Sequence, residues 1–438
     1  MNFLDRINGL PNQWEAKPLR SIADYVVSNV DKVPADDEIP VRLCNYTDVY
    51  NNEFITPALD LMQSTASEDE IAKFGLLVGD VLITKDSESW DDIGIPALVR
   101  ETAKNLVCGY HLAVLRPRKH VLDGAFLFRC LQSKTVRVDL ELAANGVTRF
   151  GIPKSAIGAL LVPVPRLPIQ RAIADYLDRE TTRLDALIAA KNRLLRLLAE
   201  KRRALITQAV TLGLDPNVPL RDSGVPWLGE IPAHWEIWKL GHVASIGNGS
   251  TPSRGNQDYW MDGTIPWLNS SVVNQEEVVE ADQFVTELAL RECHLPIVRS
   301  GSVLVAITGQ GRTRGRAVVL SLDATINQHL AFVTPESSRL DAWFLRWSLF
   351  AAYDFLRSIS DDAGGTKGAL TCEEVSNFRV PVPKMVEQRA IVEYIARGVR
   401  SLTVLRSATK CTIALLKERR AALIAAAVTG QVDMGSFA

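Results

Sequence analysis

A glycine-rich segment in the second half of the chain carries side chains suited to nucleic-acid binding. Residues 308–316 have the sequence Thr-Gly-Gln-Gly-Arg-Thr-Arg-Gly-Arg, whose polar members are Thr308, Gln310, Arg312, Thr313, Arg314 and Arg316. Arginine forks match guanine edges or phosphate oxygens, and glutamine matches adenine. Glycines let a backbone approach a ligand closely. The pattern predicts a DNA-reading loop, and a merely solvated hairpin is the alternative interpretation.

The corresponding segment in the first half is acidic. Gly79–Ile83 matches Gly301–Val305, and residues 84–92 then have the sequence Thr-Lys-Asp-Ser-Glu-Ser-Trp-Asp-Asp. The side chains predicted to contact DNA in this loop are Lys85, Ser87, Ser89 and Trp90. Because loops of opposite charge stand at one structural position, we expect the two halves to bind different base sequences. A solvated hairpin is again the alternative.

Three shorter polar segments complete the candidate DNA contacts. Residues 247–254 form a polar loop in which Ser250, Thr251, Ser253 and Arg254 are the candidates. The turns at residues 146–149 and 364–367 contribute Thr148, Arg149, Thr366 and Lys367. Because similar turns occur in both halves, contact with phosphate and a purely structural role are equally good interpretations.

No motif for catalysis is present in the sequence. The chain lacks a G-x-x-x-x-G-K-[ST] loop and an H-E-x-x-H motif, and residues 309–315 do not fit the spacing of G-x-G-x-x-G. It also lacks the Asn/Asp-Pro-Pro-aromatic tetrad of amino-methyltransferases. His111 and His329 occupy matching positions and are predicted to be structural. We therefore predict no catalytic residue and no metal site in this chain.

Composition limits the classes of function. The 438 residues include 49 basic and 51 acidic side chains, a net charge of −2 that argues against a sequence-blind binder of polyanions. A DNA reader with this charge needs local basic groups, or a partner that supplies phosphate contacts. No apolar run approaches the roughly 18 residues of a membrane span, and no signal pattern begins the chain. The six cysteines lack a C-x-x-C pair, which favours a reduced, cytoplasmic protein.

An internal repeat dominates the organisation of the chain. Residues 162–215 align without gaps on residues 380–433, with 24 identities in 54 positions at a constant offset of 218. Gln170–Ile173, for example, reappears as Gln388–Ile391. Looser matches extend the repeat, since His111-Leu112-Ala113 corresponds to His329-Leu330-Ala331. The chain is therefore expected to fold as two related halves.

The repeated segment predicts two long helices that pair with each other. Proline-rich approaches at residues 163–168 and 381–383 set where each helix begins. Apolar residues then recur with a period near 3.5, which is typical of a coiled coil. The residues predicted to pair the helices or dock a subunit are Ile173, Leu177, Leu184, Leu187, Leu194, Leu198, Leu205, Ile391, Ile395, Leu402, Leu405, Leu416 and Leu423. A paired rod of fixed length would act as a spacer.

Two globules precede the helices. Residues 14–165 (the first globule) and 231–383 (the second globule) alternate short apolar runs with turn residues, which predicts strands such as Val81–Ile83 and Val303–Ile307. Gly124–Val138 and Leu340–Ile359 are predicted to be helical. Near the ends of the long helices, residues 201–203 and 417–420 form basic clusters. These clusters are either solvated charge that suits the helix dipole or a docking surface.

The same residues resemble a known family, the specificity (S) subunits of type I DNA restriction–modification enzymes. The resemblance covers essentially the whole chain and depends on the repeated Pro-x-Pro, Gln-Arg-Ala-Ile and Ala-Val-Thr segments. Residues 223–235 (Ser-Gly-Val-Pro-Trp-Leu-Gly-Glu-Ile-Pro-Ala-His-Trp) and 249–253 (Gly-Ser-Thr-Pro-Ser) also carry it.

The resemblance implies an α+β fold with an internal pseudo-two-fold repeat. Two similar globular target recognition domains, residues 1–165 and 223–383, would be separated by two long, antiparallel-packed coiled-coil helices, residues 166–222 with a linker and residues 384–438. Each domain would bind one half of a bipartite, asymmetric DNA site, and the helices would set the gap.

The resemblance also implies the partners. Two modification (methyltransferase) subunits would dock on the helices, and ATP-dependent restriction subunits could join. S-adenosylmethionine, ATP and Mg²⁺ are expected on those partners and not on this chain. Two other hypotheses remain at this stage: an adaptor whose globules bind peptides, and a DNA-processing enzyme with an unrecognised site.

Overall fold

The fold is described from a computed structural model covering residues 9–309, 311–361 and 368–432. Contacts divide the chain into two compact units. Unit 1 contains residues 1–192 and 410–438, and unit 2 contains residues 193–409. Each unit thus combines one globule with parts of both long helices. The division into domains at residues 165, 222 and 383 stays a prediction, because contact boundaries fall inside the helices.

The strands and helices of the first globule follow one another along the chain in a mixed order. Its strands are β1 (Glu15–Pro18), β2 (Ala23–Val27), β3 (Ile39–Cys44), β4 (Phe54–Ile55), β5 (Met62–Ala66), β6 (Val81–Thr84), β7 (Asp86–Ser87), β8 (Pro96–Val99), β9 (Leu106–Cys108), β10 (Leu112–Pro117), β11 (Phe150–Gly151) and β12 (Leu161–Val164). Its helices are α1 (Tyr46–Asn51), α2 (Glu68–Phe74), α3 (Gly124–Gln132), α4 (Lys134–Ala143) and α5 (Lys154–Ala159). The long helix α6 (Leu167–Leu212) follows.

The second globule repeats this order with small changes. Its strands, with those of the linker, are β13 (Leu220–Asp222), β14 (Glu230–Pro232), β15 (Glu236–Lys239), β16 (Ala244–Asn248), β17 (Ile265–Leu268), β18 (Glu277–Val278), β19 (Phe284–Val285), β20 (Val303–Ala306), β21 (Ala317–Leu320), β22 (Thr325–Ile326), β23 (Leu330–Pro335) and β24 (Arg379–Val382). The helices are α7 (Glu287–Glu292), α8 (Ala342–Ala351), α9 (Tyr353–Asp361), α10 (Cys372–Asn377) and the long helix α11 (Met385–Val428).

A five-stranded sheet forms the centre of each globule. Its order is β2-β10-β6-β8-β4 in unit 1 and β16-β23-β20-β21-β18 in unit 2, and the last pair is parallel in both. Both faces are buried. Val81 and Ile83 pack toward α3 and α4, whereas Leu82 packs with the three-stranded sheet β5-β3-β9. Burial on both faces explains why these strands appear in the sequence as continuous apolar runs.

The helices between the strands are shorter than the sequence pattern predicts. The segment predicted as Gly124–Val138 is divided into α3 and α4 at Ser133, whose extended backbone ends one helix and begins the next. The segment predicted as Leu340–Ile359 is also divided, at Ala352, which ends α8 without an extended backbone. Because apolar periodicity continues across both breaks, the sequence pattern predicts one helix where the structure has two.

The two long helices pack antiparallel. In unit 1, Ile173 and Leu177 of α6 share a core with Ile424 and Val428 near the end of α11. In unit 2, the final turns of α6 share a core with the first turns of α11, through residues that include Ile206, Val210, Ile391, Ile395 and Val399. In each unit, the paired segments of the two long helices therefore belong to the core of the globule as well as to a coiled coil.

Three of the residues predicted to pair the helices or dock a subunit do not lie in the seam, the buried face along which α6 and α11 contact each other. Leu187, Leu194 and Leu405 are exposed, which favours the predicted role in subunit docking over helix pairing, and that role stays a prediction. The neighbouring apolar residues Ile188 and Leu195 are half-buried. A heptad spacing of four and then three residues, starting from Leu184, leads to Ile188 and Leu195. The predicted register instead contains Leu187 and Leu194, which are one residue earlier in each case.

The other predicted pairing residues lie on the inner faces of the helices. Ile173, Leu177, Leu184, Leu198, Ile391, Ile395 and Leu402 are buried, and Leu205, Leu416 and Leu423 are half-buried. Gly398 also lies in the seam, where a Cβ atom would come within 2.6 Å of Leu205 Cδ1. The small residue permits this close helix contact. None of the helices in the described part of the chain is long and apolar enough to span a membrane.

A buried glutamine joins each long helix to its globule. The Gln170 side chain accepts a hydrogen bond from Asp123 N (2.8 Å) and donates to Val121 O (2.9 Å) and Pro165 O (2.8 Å). Gln388 makes the equivalent bonds to Asp341 N, Arg339 O and Pro383 O at 2.7–2.8 Å. Both glutamines are fully buried. Because Asp123 and Asp341 cap α3 and α8, each glutamine fixes a globule helix against a long helix.

We expect Gln388→Leu to lower the free energy of unfolding by about 2–4 kcal/mol. The substitution leaves the buried Pro383 carbonyl and the part-buried Asp341 N–H and Arg339 carbonyl without their partner, and an unsatisfied buried group costs about 1–3 kcal/mol. Denaturant titration measures the change. Arg389→Ala, at the next and exposed position, is the control and should change stability by less than about 0.5 kcal/mol. Equal effects of the two substitutions would contradict the proposed role of Gln388.

Candidate nucleic-acid interface

In unit 1, a histidine holds the acidic loop that follows β6. His111 Nδ1 lies 2.7 Å from Asp86 Oδ2, and Lys85 Nζ lies 3.0 Å from Asp86 Oδ1. The backbone of the loop is fixed as well, because β7 pairs with β11 and Lys85 N donates to His111 O at 2.8 Å. The loop is therefore ordered by a sheet edge and an ion pair, and its other side chains extend from a fixed base.

The acidic loop and the 146–149 turn meet in one cavity of about 630 Å³. The residues that line it are Tyr46, Tyr50, Asp86, Ser87, Glu88, Ser89, Asp92, Thr148 and Arg149. Among the candidates from the sequence, Lys85 is half-buried, Ser87 is buried, and Ser89, Thr148 and Arg149 are exposed. Trp90 is exposed beside this group. The structure thus brings together two predicted segments that are about 60 residues apart in the sequence.

Two tyrosines that the sequence pattern did not reveal form one wall of this cavity. The rings of Tyr46 and Tyr50 stack with centroids 5.6 Å apart, and Tyr50 Oη donates to Asp92 Oδ2 at 2.6 Å. Burial raises the pKa of Tyr46, and the hydrogen bond to Asp92 raises the pKa of Tyr50. Both phenols stay protonated at neutral pH and present hydroxyl groups beside the carboxylates.

Asp86 keeps its charge in this setting. Partial burial acts to raise its pKa, but the hydrogen bonds from His111 and Lys85 outweigh burial, and the net effect lowers the pKa. The carboxylate therefore stays ionised well into the acid range. The cavity presents acceptor oxygens at neutral pH, with Arg149 as a nearby cation.

In unit 2, the equivalent loop after β20 is held by the same kind of contact. His329 Nδ1 lies 2.8 Å from Thr308 Oγ1, and His329 and Thr308 correspond to His111 and Asp86 in the repeat. Tyr353 Oη donates to Arg312 O at 2.8 Å, and Arg357 Nη1 donates to Gly311 O at 2.6 Å. The backbone at Gly311 and Arg312 is therefore held by α9, and the Arg312 side chain is exposed.

The three arginines of this loop differ in their surroundings. Arg314 is 2% exposed, and its Nη1 donates to Gly368 O at 2.5 Å. The Arg314 side chain therefore supports the loop from inside, and its predicted contact with DNA stays a prediction. Arg316 is half-buried and donates to Asn274 Oδ1 at 2.7 Å. Thr313 is half-buried, so Arg312 is the arginine most available to a ligand.

Tryptophans organise the polar loop of residues 249–254. Trp267 Nε1 donates to Ser250 O at 3.1 Å, and Trp260 Nε1 donates to Ser253 O at 3.0 Å. The Arg254 guanidinium lies 3.9 Å from the Trp260 ring centroid and 4.9 Å from that of Trp267. It also donates to Gln283 Oε1 at 2.7 Å. Arg254 is exposed, so a cation stacked on aromatic rings stands at the surface of unit 2.

The other members of this loop are placed by local contacts. Thr251 is half-buried and donates to Gln328 Oε1 at 2.5 Å, whereas Ser253 is exposed. Glycine is required at residue 249, since a Cβ atom there would lie 1.7 Å from Ile326 O. Three further candidates, Gln310, Thr366 and Lys367, fall outside the described residues.

Three arginines of the basic clusters on the long helices are engaged in ion pairs. In unit 1, Arg420 bonds Asp185 (3.0 Å) and Glu53 (2.5 Å). In unit 2, Arg202 pairs with Glu276, and Arg203 pairs with Asp354. These contacts join each long helix to its globule, which favours a structural role over free positive charge.

Comparison with known proteins identifies the family. The family model described as the type I restriction modification DNA specificity domain matches the chain twice, at residues 11–196 and 232–409. The chain belongs to this specificity family. The two matches coincide with the two halves of the internal repeat, so the duplication is a duplication of the family's domain.

Named relatives of the specificity family have low sequence identity to this chain. The putative type I restriction enzyme MjaX specificity subunit of Methanocaldococcus jannaschii is 22% identical over 390 residues, covering 88% of this chain and 87% of that protein. The type I restriction enzyme EcoR124I/EcoR124II specificity subunit of Escherichia coli is 24% identical over 160 residues, covering 36% and 39%. The first similarity spans both halves of the chain.

Solved structures share the fold of the specificity family. The crystal structure of the HsdS subunit from Thermoanaerobacter tengcongensis matches with a TM-score of 0.59 and 18% identity, covering 97% of this chain and 98% of that one. A chain from a structure described as the basis of complex assembly and conformational transition of the type I R-M system matches with a TM-score of 0.70 and 20% identity, covering 97% and 100%.

We expect Asp86→Asn to make the free energy of unfolding depend less on pH at acidic pH. Because folding lowers the pKa of Asp86, its contribution to stability is present above the unfolded pKa of about 3.9 and is lost as pH falls below it. The free energy of unfolding of the unsubstituted chain should therefore fall more steeply between pH 5 and pH 3 than that of the variant. Parallel curves would contradict the assigned ion pair.

Proposed function

We propose that this chain is the non-catalytic DNA-specificity subunit of a type I restriction–modification complex. Each globule binds one half of a bipartite, asymmetric DNA site, and the paired helices set the distance between the halves. The observation that carries the proposal is the pair of quasi-equivalent loops after β6 and β20. The same histidine position anchors both loops, but one loop presents carboxylates and the other an exposed arginine.

The chemistry of the two surfaces supports different base preferences. Carboxylate oxygens accept hydrogen bonds from the N4 amino group of cytosine, so Glu88 and Asp92 suit a cytosine edge in the major groove. Arg312 and Arg254 instead suit the N7 and O6 acceptors of guanine, or phosphate oxygens. Two unlike half-sites follow from these two sets of groups.

The long helices supply the surface for partner subunits. Leu187, Leu194, Leu197, Val404 and Leu405 are large apolar residues that remain exposed on α6 and α11. Exposed apolar residues of this kind favour a protein contact when they cluster. We assign the contact to two modification (methyltransferase) subunits, with ATP-dependent restriction subunits as further partners, acting in the cytoplasm. S-adenosylmethionine, ATP and Mg²⁺ are assigned to those partners.

We expect Arg312→Ala, in the complex with the modification subunits, to weaken binding at one half-site only. Loss of a good base contact should cost about 1–3 kcal/mol. Binding is measured on duplexes in which one half-site at a time is randomised. The substitution should lower discrimination at one half-site and leave the other unchanged.

Arg291→Ala is the matched control for this experiment, since Arg291 is exposed on α7 and lies outside the candidate loops. If Arg312→Ala and Arg291→Ala bind every duplex alike, Arg312 does not contact bases. If the unsubstituted complex shows no sequence preference, the proposed function itself is wrong.

We expect a heptad inserted into both long helices to lengthen the gap between the half-sites. Seven residues placed after Asn192 and seven after Thr409 preserve the coiled-coil register and add about 10 Å. At 3.4 Å per base pair the preferred gap should grow by about three base pairs. Mapping of methylated sequences measures the gap. A stable variant with an unchanged gap would contradict the spacing role.

A further inference from the structure

One set of equivalent positions is charged in unit 1 and apolar in unit 2. In unit 1, buried Arg129 of α3 bonds Asp178 of α6 at 2.5 Å and Gln132 at 2.6 Å, and lies 3.2 Å from Thr181 Oγ1. Arg100 also pairs with Asp178. These side chains fill the junction between the globule and its long helix.

The equivalent positions of unit 2 follow from shared anchors. Because Asp123 and Asp341 both bond the buried glutamine, the offset of 218 places Trp347 where unit 1 has Arg129. The same offset places Ala396 at the position of Asp178, and Val399 at the position of Thr181. Three polar residues of the unit 1 network are thus replaced by apolar ones.

The replacement leaves an open groove of about 480 Å³ in unit 2. Its lining residues are Glu276, Trp343, Trp347, Val392, Ala396, Val399, Arg400, Thr403 and Val404. Val404 is 64% exposed although it is apolar. The groove lies between α8 and α11, where unit 1 has ion-paired side chains.

The groove is also backed by positive charge. Arg346 is 5% exposed, and its Nε and Nη1 have no hydrogen-bond partner within the described part of the chain. Its guanidinium stacks 3.9 Å from the centroid of Trp347, which lines the groove. Burial lowers the pKa of Arg346 to about 10, so the group stays charged at neutral pH. Arg400 adds an exposed cation at the rim, while the carboxylate of Glu276 is already paired with Arg202.

We propose that this groove binds a segment of a modification subunit in which a bulky apolar side chain lies next to an Asp or Glu. The proposal rests on the function proposed above and adds that docking is unequal at the two units. The apolar side chain covers Trp347, Val399 and Val404, and the carboxylate faces Arg400 and the field of Arg346. In unit 1, Asp178 stands at the position of Ala396 and pairs with Arg129 and Arg100 instead.

Ala396→Arg tests the groove, because Ala396 is exposed on α11 and a long side chain there fills the space. Purified modification subunit is titrated onto the full chain and followed by sedimentation velocity. We expect one of the two bound copies to dissociate at least tenfold more readily, so that complexes with a single modification subunit accumulate. Ala390→Arg, also exposed on α11 but outside the groove, is the control and should stay within twofold of the unsubstituted chain.

The outcomes separate the two proposals. If the unsubstituted chain binds two modification subunits and Ala396→Arg behaves like Ala390→Arg, the groove is not the docking site and the proposed function stands. If the unsubstituted chain binds no modification subunit, the proposed function fails first.

Arg346→Phe tests the charge separately, because unit 1 has Phe128 at this position and the fold accommodates it there. We expect the melting temperature to be unchanged or higher and the same single copy to be weakened at least threefold. An unchanged affinity would show that Arg346 does not contribute to docking, and the apolar residues of the groove alone would then account for binding of the modification subunit.

Discussion

The architecture depends on the buried glutamine in the first turn of each long helix. The buried side chains of Gln170 and Gln388 each bond one backbone amide and two backbone carbonyls at the junction of globule and helix. A buried side-chain amide with three partners has a strong geometric requirement, since each lost bond leaves an unsatisfied polar group. The globule therefore cannot rotate freely about its helix, and the loops of that globule keep a fixed orientation on it.

On this common scaffold the two units differ mainly in their loops and in one groove. His111 and His329 hold the loop after the central strand in the same way, yet their partners are Asp86 and Thr308. Changes in loop chemistry thus leave the anchor intact, which is how a duplicated domain can acquire two binding preferences. The charged junction of unit 1 and the groove of unit 2 are a second divergence, on the surface that we assign to protein partners.

Much of the fold could be predicted from the sequence, because the repeat, the prolines before each long helix and the alternation of apolar runs are strong signals. The exact face of α6 that is buried could not be predicted: Leu187 and Leu194 are exposed whereas their apolar neighbours Ile188 and Leu195 are half-buried, and only packing decides between neighbours. In the candidate site, charge and glycine content predict the arginine-rich loop, and charge together with the repeat predicts the acidic loop. They could not distinguish buried Arg314 from exposed residues of the same type, because loop conformation sets exposure. The Tyr46 cavity could not be predicted, because Tyr46 and Tyr50 are far in the sequence from the acidic loop and the 146–149 turn and only the fold brings them together.

The central claim is that each globule carries one independent half of the DNA specificity. The most direct measurement replaces residues 14–165 with a second copy of residues 231–383 and maps the methylated sequences that the resulting complex produces. Our account predicts a symmetric target made of two copies of one original half-site, at the original gap. A folded chimera that still directs methylation to the original asymmetric sequence would contradict the account.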